Sequence, residues 1–327
     1  MIANKDKRGF EMSFAWIFAM IVGAAILFIA IYFAVTLITS EEKEVTTETA
    51  KSIIGTFDVL LTSKDRLKIN NVDLAKDTRV YTYCRTGGDF GESRIAISET
   101  SSFGEEWTAI GGGVSTNNQY IFTDEVIEGN KLYFIVMPFE MPFKTADIMI
   151  VHAQPYCFVK APEEIEEEVD NMLVDKVKNV EIVKTINNCS KSSVKVCFEN
   201  ERGCNVTVVG KCSSGIYCES LYDLGSVYKN GEKLDYVTKD LMYAGIFSEK
   251  EVYECNVKRF MMRLDKVGEI YIRKLNYLGS GCSSDVQKGI SDLKVKAQNY
   301  EDMGDLISIK DTADRISEAN KGCGGVY

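Results

Sequence analysis

Charge is missing from one long stretch of this chain. Between Met12 and Ser40 there is no Asp, Glu, Lys or Arg, and Phe14 to Ile38 is almost wholly apolar. Histidine is nearly absent: His152 is the single imidazole in 327 residues. That leaves one residue for any Ser–His or Cys–His pair, and it stands at the end of a strand-like run, where a structural role is expected. None of the ten cysteines forms C-x-x-C, so the ligand spacing of zinc sites is not there. G-x-S-x-G, H-E-x-x-H and paired-glycine cofactor loops are missing. Gly111-Gly112-Gly113 is followed by neither the Lys-Ser/Thr of a phosphate loop nor a helix. No catalytic residue, metal or cofactor is therefore expected, although two carboxylates converging in space would escape this reading. The net charge is -10 with no basic stripe, which excludes a nucleic-acid partner.

The uncharged stretch is the clearest positive signal. As a helix, Phe14 to Ile38 is about 40 Å long, more than the ~30 Å hydrocarbon core of a bilayer. Lys5, Lys7 and Arg8 precede it, and Glu41, Glu42 and Glu44 follow it. Basic flanks stay cytoplasmic, so the N-terminus is expected inside and the bulk of the chain outside a plasma membrane. A cleaved secretory signal is the rival, but its apolar region would be about half as long and end in a small-x-small site. Ala15, Ala19 and Gly23 lie four apart, a spacing that allows close approach of a second membrane helix and so a homo-oligomer or helix bundle. Beyond the run, Val45, Thr49, Ala50, Ile53, Phe57, Leu60 and Leu61 keep helical register, predicting an amphipathic stem to about residue 65 with a bend near Gly55.

Lys7-Arg8-Gly9-Phe10 ahead of a long apolar helix resembles the leader of type IV pilins and archaeal class III signal peptides. The resemblance implies a cut between Gly9 and Phe10 and a helix kept as an assembly stem. Pilins carry Glu at the fifth position after the cut, whereas the acid here is Glu11, at the second. The stretch Lys7 to Ala19, with Tyr156-Cys157-Phe158-Val159 and Tyr253-Glu254-Cys255-Asn256-Val257-Lys258-Arg259, is also similar to uncharacterised single-pass proteins of small-genome (DPANN-type) archaea. That likeness brings no activity with it.

From 66 to 160 the texture is β. Arg79–Cys84, Arg94–Ile97, Tyr120–Thr123, Leu132–Val136 and Ile148–Val151 are short runs of β-branched and aromatic residues. Gly87-Gly88-Asp89 and Gly129-Asn130 read as turns. The repeat Met137-Pro138-Phe139, Met141-Pro142-Phe143 reads as an ordered loop closing over the core, since two prolines so close argue against an interior strand. Pro162 opens an acidic helix within 161–180, with Ile165, Val169, Met172, Leu173 and Val177 as its apolar stripe. Residues 181–247 read as a cysteine-rich β module too small to bury much core alone. Beyond Ser248, whose spacing to Glu251 suggests a capping box, Tyr253, Val257, Phe260, Leu264, Val267, Tyr271, Leu275 and Leu278 mark a long helix. A second helix follows Ser284, and a third runs from about Ser308 to Lys321.

Ten cysteines beyond a membrane segment indicate disulfides in an oxidising compartment. Cys84 and Cys157, each at a strand end, are expected to pair. Up-down-up helices bring Cys282 and Cys323 to one pole, so these are expected to pair, leaving Cys255 for the cysteine-rich module. Asn188 and Asn205 head glycosylation sequons that would be usable on the same side.

The expectation is an α+β protein: a cytoplasmic N-terminus (1–11), a transmembrane helix (12–40) extended as a stem (41–65), a β-rich ectodomain (66–160), an acidic helix (161–180), a disulfide-braced β module (181–247) and a C-terminal helical bundle (248–327). The expected function is a cell-surface structural or interaction protein, pilin-like in its N-terminus. A tethered binding protein for a partner protein or glycan is the alternative, and an extracytoplasmic carboxylate hydrolase the third reading. Partners are the bilayer, other membrane helices and a surface protein or glycan.

Overall fold

The computed structural model describes residues 14–62, 66–101, 106–173, 179–198, 201–212, 220–278, 283–321 and 327. Helix α1 (Phe14–Thr62) is a single element of 49 residues, so the apolar run and the amphipathic stretch form one rod that continues through Gly55. The apolar side chains of its N-terminal half are exposed, among them Phe14, Phe28 and Leu37. In its outer half Ala50, Ile53, Phe57 and Leu60 recur at three- and four-residue steps, and all four are buried.

They are buried against a six-stranded sheet. Strands β1 (Lys68–Arg85), β2 (Glu92–Glu99), β3 (Val114–Thr116), β4 (Tyr120–Phe122), β5 (Val126–Glu140) and β6 (Lys144–His152) lie in the order β3-β2-β1-β5-β6-β4. All neighbours are antiparallel except β4 and β6. Alternation along each strand divides the side chains between two cores. Leu132, Phe134 and Val136 of β5, with Met149 and Val151 of β6, meet α1, and Phe57 stands edge-on to Phe134 at 5.2 Å. Ile135, Met137 and Phe139, with Ile148 and Ile150, face the other way into a larger core. Burial on both faces is why these strands read as continuous apolar runs.

Two sequence expectations fail here. Gly129-Asn130 is no turn but lies within β5, opposite an irregularity of β1 between Asp73 and Thr78 that absorbs the mismatch. Pro138 lies inside β5 as well, opposite Asp147 of β6. Strand β1 begins opposite Val136, so β5 has one open side at Pro138, where a missing N–H is tolerated. Only residues 141–143 form the turn, with Met141 and Phe143 buried in the core.

The second sheet comprises β7 (Tyr156–Val159), β8 (Val180–Val183), β9 (Val194–Cys197), β10 (Val206–Gly210), β11 (Gly225–Lys229) and β12 (Glu232–Tyr236), ordered β12-β11-β10-β9-β7-β8. Strands β8, β7, β9 and β10 run parallel, and β11 and β12 antiparallel to them. Strand β7, placed by sequence with the first β domain, belongs here. Helix α2 (Glu163–Leu173) crosses from β7 to β8 with Ile165 and Val169 buried and acids in its first turn, as its composition predicts.

Helix α3 (Lys239–Phe247) lies between the sheets, touching β5 and β6 on one side and β10, β11 and β12 on the other. Every residue from Leu241 to Phe247 is buried, so it has no polar face. Thr238 caps it, accepting from the Leu241 N–H at 3.2 Å. The long α4 (Lys250–Leu278) follows, then α5 (Ser283–Gln298) and α6 (Met303–Lys321), each helix packed on the next. The Ser248 hydroxyl donates back to the Ala244 carbonyl and does not cap α4, so the expected capping box is not formed. Helix α6 starts five residues earlier than expected because Asp302 accepts from the N–H groups of Gly304 (2.7 Å) and Asp305 (3.3 Å).

Candidate functional site

Helix α4 carries the residues that join the layers. Arg259 is fully buried, and its guanidinium donates to the carbonyls of Phe90 (3.0 Å), Asn117 (3.2 Å) and Gln119 (3.2 Å), to Ser93 Oγ (2.6 Å) and to Asn256 Oδ1 (2.8 Å). It also lies 4.4 Å from the centre of the Tyr120 ring. Burial lowers its pKa to about 10, which leaves it charged at neutral pH. Asn256 turns its amide to the Ile121 carbonyl at 2.8 Å. One turn of α4 thus satisfies the loop carbonyls at one end of the first sheet. The run from Tyr253 to Arg259 singled out in the sequence is this clamp.

The disulfides correct the sequence. Cys84 is bonded to Cys255, and Cys157 to Cys189. The expected Cys84–Cys157 bond is not formed, because β1 and β7 belong to different sheets and α4 brings Cys255 to the end of β1. For the same reason Cys255 does not pair with the cysteine-rich module. Cys197 is bonded to Cys204, and Cys212 is also in a disulfide. Cys282 and Cys323 lie outside the described residues, as do Gly9 and Phe10. Ala15, Ala19 and Gly23 lie on the uncovered half of α1, with no atom within 4 Å of the position a Gly23 side chain would take. Asn188 and Asn205 are exposed beside the second sheet, Asn205 accepting from the Lys195 N–H at 2.9 Å. Among the described residues one cluster has the composition of a metal site: Cys157, Cys189 and Glu181. Its two sulfurs are bonded to each other, and Glu181 accepts from Ser190 N–H and Ser193 Oγ, so the set is already satisfied.

His152 sits between the layers. Its Nδ1 is 3.0 Å from the Gln154 carbonyl, and its ring stacks on Tyr133 and packs against Tyr156 and Phe247. Burial lowers its pKa to about 4, so it is neutral, with Nδ1 as donor and Nε2 bonded to no protein atom. It lines an apolar cavity of about 20 Å³ with Ile135, Met137 and Phe247, enough for about one water.

A cleft of about 690 Å³ opens where β12, α4 and the start of α6 meet. Tyr253 and Tyr300 form its floor, and Glu251, Glu254, Glu301 and Asp302 stand exposed around them, with Lys233 and Lys258. The Tyr253 hydroxyl donates to the Asp235 carbonyl at 2.7 Å. Burial, then Glu254 and Asp302, push the Tyr300 phenol up to about 12, so both phenols remain protonated donors. A smaller recess of about 260 Å³ shares Lys258 and Tyr300 and extends the cleft toward Asp89. Aromatic floor, the Tyr300 phenol and carboxylate rim are the groups that hold hydroxylated or cationic surfaces. Among the described residues the carboxyls that burial raises, Asp124 and Asp240, lie elsewhere: Asp124 is paired with Lys229, and Asp240 opens α3. No local motif marks the cleft, because its walls come from three segments between Lys233 and Leu306.

The chain matches no protein-family model, no curated protein and no solved structure.

Proposed function

We propose that this protein is a membrane-anchored structural or interaction protein of the cell surface, with a pilin-like stem. The observation that carries the reading is the division of α1: one helix long and apolar enough to cross a membrane is fused without a break to a half that forms the floor of the head. Removing the apolar half from water is the strongest unmet demand on the molecule, and a bilayer meets it. The disulfides fit a head on the oxidising side, and the basic residues before α1 fit a cytoplasmic N-terminus. A rod whose far half is buried under a sheet transmits force from membrane to head, as an assembly subunit requires.

A tethered receptor is the second reading, favoured by the cleft floored by Tyr253 and Tyr300, with a glycan or a cationic protein surface as its occupant. A carboxylate hydrolase would need two facing acids in that cleft, one of them raised by burial.

The test is N-terminal sequencing and intact mass of membrane-purified protein before and after reduction. A chain beginning at Phe10 supports a pilin-type stem; one that retains its first nine residues supports the tethered receptor. A gain of two hydrogens per disulfide supports an outward head, and no gain on reduction overturns it.

A further inference from the structure

The Cys84–Cys255 bond stands at the wall of the cleft. Cys255 lines that cleft, and both cysteines of the pair are half-buried. The other two bonds whose cysteines both lie among the described residues are different. Cys157 and Cys197 are buried outright, in an apolar cluster with Val159. A thiol opens a disulfide by reaching one sulfur and releasing the other as a thiolate, and a more acidic thiol leaves faster. A sulfur in apolar surroundings makes a poor thiolate, which protects those two bonds. Cys84 has better surroundings for leaving. Its Sγ is 3.6 Å from Asn256 Oδ1, the oxygen that also accepts from the Arg259 guanidinium at 2.8 Å. The nearby cation favours the departing thiolate, and the amide oxygen accepts from the thiol once it forms.

Position along α4 sets what can approach Cys255. Glu251 stands four residues before it and Lys258 three after, so the three share one helix face, with Glu254 beside them. Glu301 and Asp302 open onto the same space, and Lys233 is paired with Asp235. Four exposed carboxylates therefore stand against Lys258. A cleft lined by one sign of charge concentrates the opposite sign and repels its own. An attacking thiolate is already an anion, so a further negative group on the reagent adds to the repulsion. An ammonium group offsets it.

We propose that the Cys84–Cys255 bond is a thiol-exchange site, entered from the cleft, that takes a small aminothiol onto Cys255. The reagent's thiolate attacks Cys255 Sγ, the protein S–S bond breaks, its electron pair leaves on Cys84 Sγ, and Cys84 takes up a proton from water. The aminothiol is oxidised into a mixed disulfide with Cys255, and Cys84 is reduced to the thiol. The exchange frees β1 from α4 at one point, while Arg259 still holds α4 to Phe90 and Ser93. In the test, the purified full chain in its oxidised form meets cysteamine, uncharged mercaptoethanol or anionic mercaptoethanesulfonate at equal thiolate concentration. Each rate is divided by that of the same thiol on a small uncharged disulfide, which removes intrinsic nucleophilicity. Samples quenched early with N-ethylmaleimide are mapped by peptide mass. The first product should carry cysteamine on Cys255 and maleimide on Cys84, with Cys157–Cys189 and Cys197–Cys204 intact. The normalised rate with cysteamine should exceed that with the sulfonate about tenfold at low salt, and the gap should close at high salt. E251Q/E254Q should narrow the gap without moving the adduct. No adduct, an adduct on Cys84, or earlier opening of either other bond overturns the site. A normalised rate indifferent to the charge of the thiol overturns the aminothiol as its reagent.

Discussion

Cys84, near the end of β1, is bonded to Cys255, in the second turn of α4, across 171 positions of sequence. The bond ties the first sheet to the helix that follows both sheets, so it closes a loop containing nearly all of the head. In the chain-entropy picture a loop of that length stabilises by about 5 kcal/mol. The C84A/C255A double variant should therefore lower the urea midpoint of the reconstituted protein more than C197A/C204A, whose loop spans 7 positions. Equal midpoints for the two variants would show that the long staple does not govern stability.

Arg259 and Asn256 act as a unit beside that bond. Replacing Arg259 with Met strands the carbonyls of Phe90, Asn117 and Gln119 in a buried site, at roughly 1–3 kcal/mol for each group that water cannot reach. Lys could reach only part of this fork, so R259K should fall between wild type and R259M. Because Asn256 Oδ1 accepts from Arg259, the N256A and R259M effects should be less than additive, with a coupling of about 0.5–3 kcal/mol in a double-mutant cycle. Strict additivity would mean that each residue acts alone.

These two relationships also mark where the sequence stops being informative. The register of the stem, the acidic opening of α2 and the stripe of α4 were legible because one face of each helix meets core and the period survives, and the strand runs because β-branched and aromatic residues concentrate in them. Helix α3 was not, because a helix buried on all sides has no period and its Leu241–Phe247 run resembles any core segment. The partner of Cys84 is a tertiary fact, fixed by how α4 lies across β1. Pro138 misled because its strand loses one neighbour two residues earlier, which nothing local announces. The cleft was invisible for a related reason: Lys233, Tyr253 and Tyr300 become neighbours only through folding.

His152 makes the fold sensitive to acid. Its pKa is about 4 in the folded protein and ordinarily 6.5, so above pH 6.5 it imposes no penalty. As pH falls from 6.5 toward 4 the unfolded chain takes up a proton that the buried ring refuses, and stability is lost, up to about 3 kcal/mol. Below pH 4 both states are protonated and the loss levels off. H152F fills a similar ring space without titrating. The gap between wild type and H152F in urea stability should shift against wild type between pH 7 and 4.5. A pH-independent gap would show that the ring is not held neutral.

Asp240 should behave in the opposite sense. Burial raises its carboxyl to about 6 from 3.8, so at pH 7 the folded protein holds a charge it would shed. D240N removes that penalty, and partial exposure discounts the gain to about 1–2 kcal/mol at pH 7. As pH falls through 6 toward 3.8 the folded wild type protonates first and recovers, so the advantage of D240N shrinks. An advantage that grew on acidification would refute the assignment.

Gly111 gives a structural reason for the triglycine, whose sequence lacks the pattern of a phosphate loop. A side chain there would begin 2.4 Å from Thr46 Oγ1, so the loop can lie on the stem only where Cβ is missing. G111A should push the turn from α1 and cost roughly 1–3 kcal/mol as overpacking. Removing the obstructing hydroxyl with T46A should recover part of that loss, whereas the Gly112 position, with Thr47 Oγ1 at 3.6 Å, should accept Ala with little effect. Thermal unfolding of G111A, T46A, their combination and G112A makes the comparison. If T46A fails to rescue G111A, the glycine serves the backbone of the loop, and the close approach to the stem is a consequence of that backbone and not its cause.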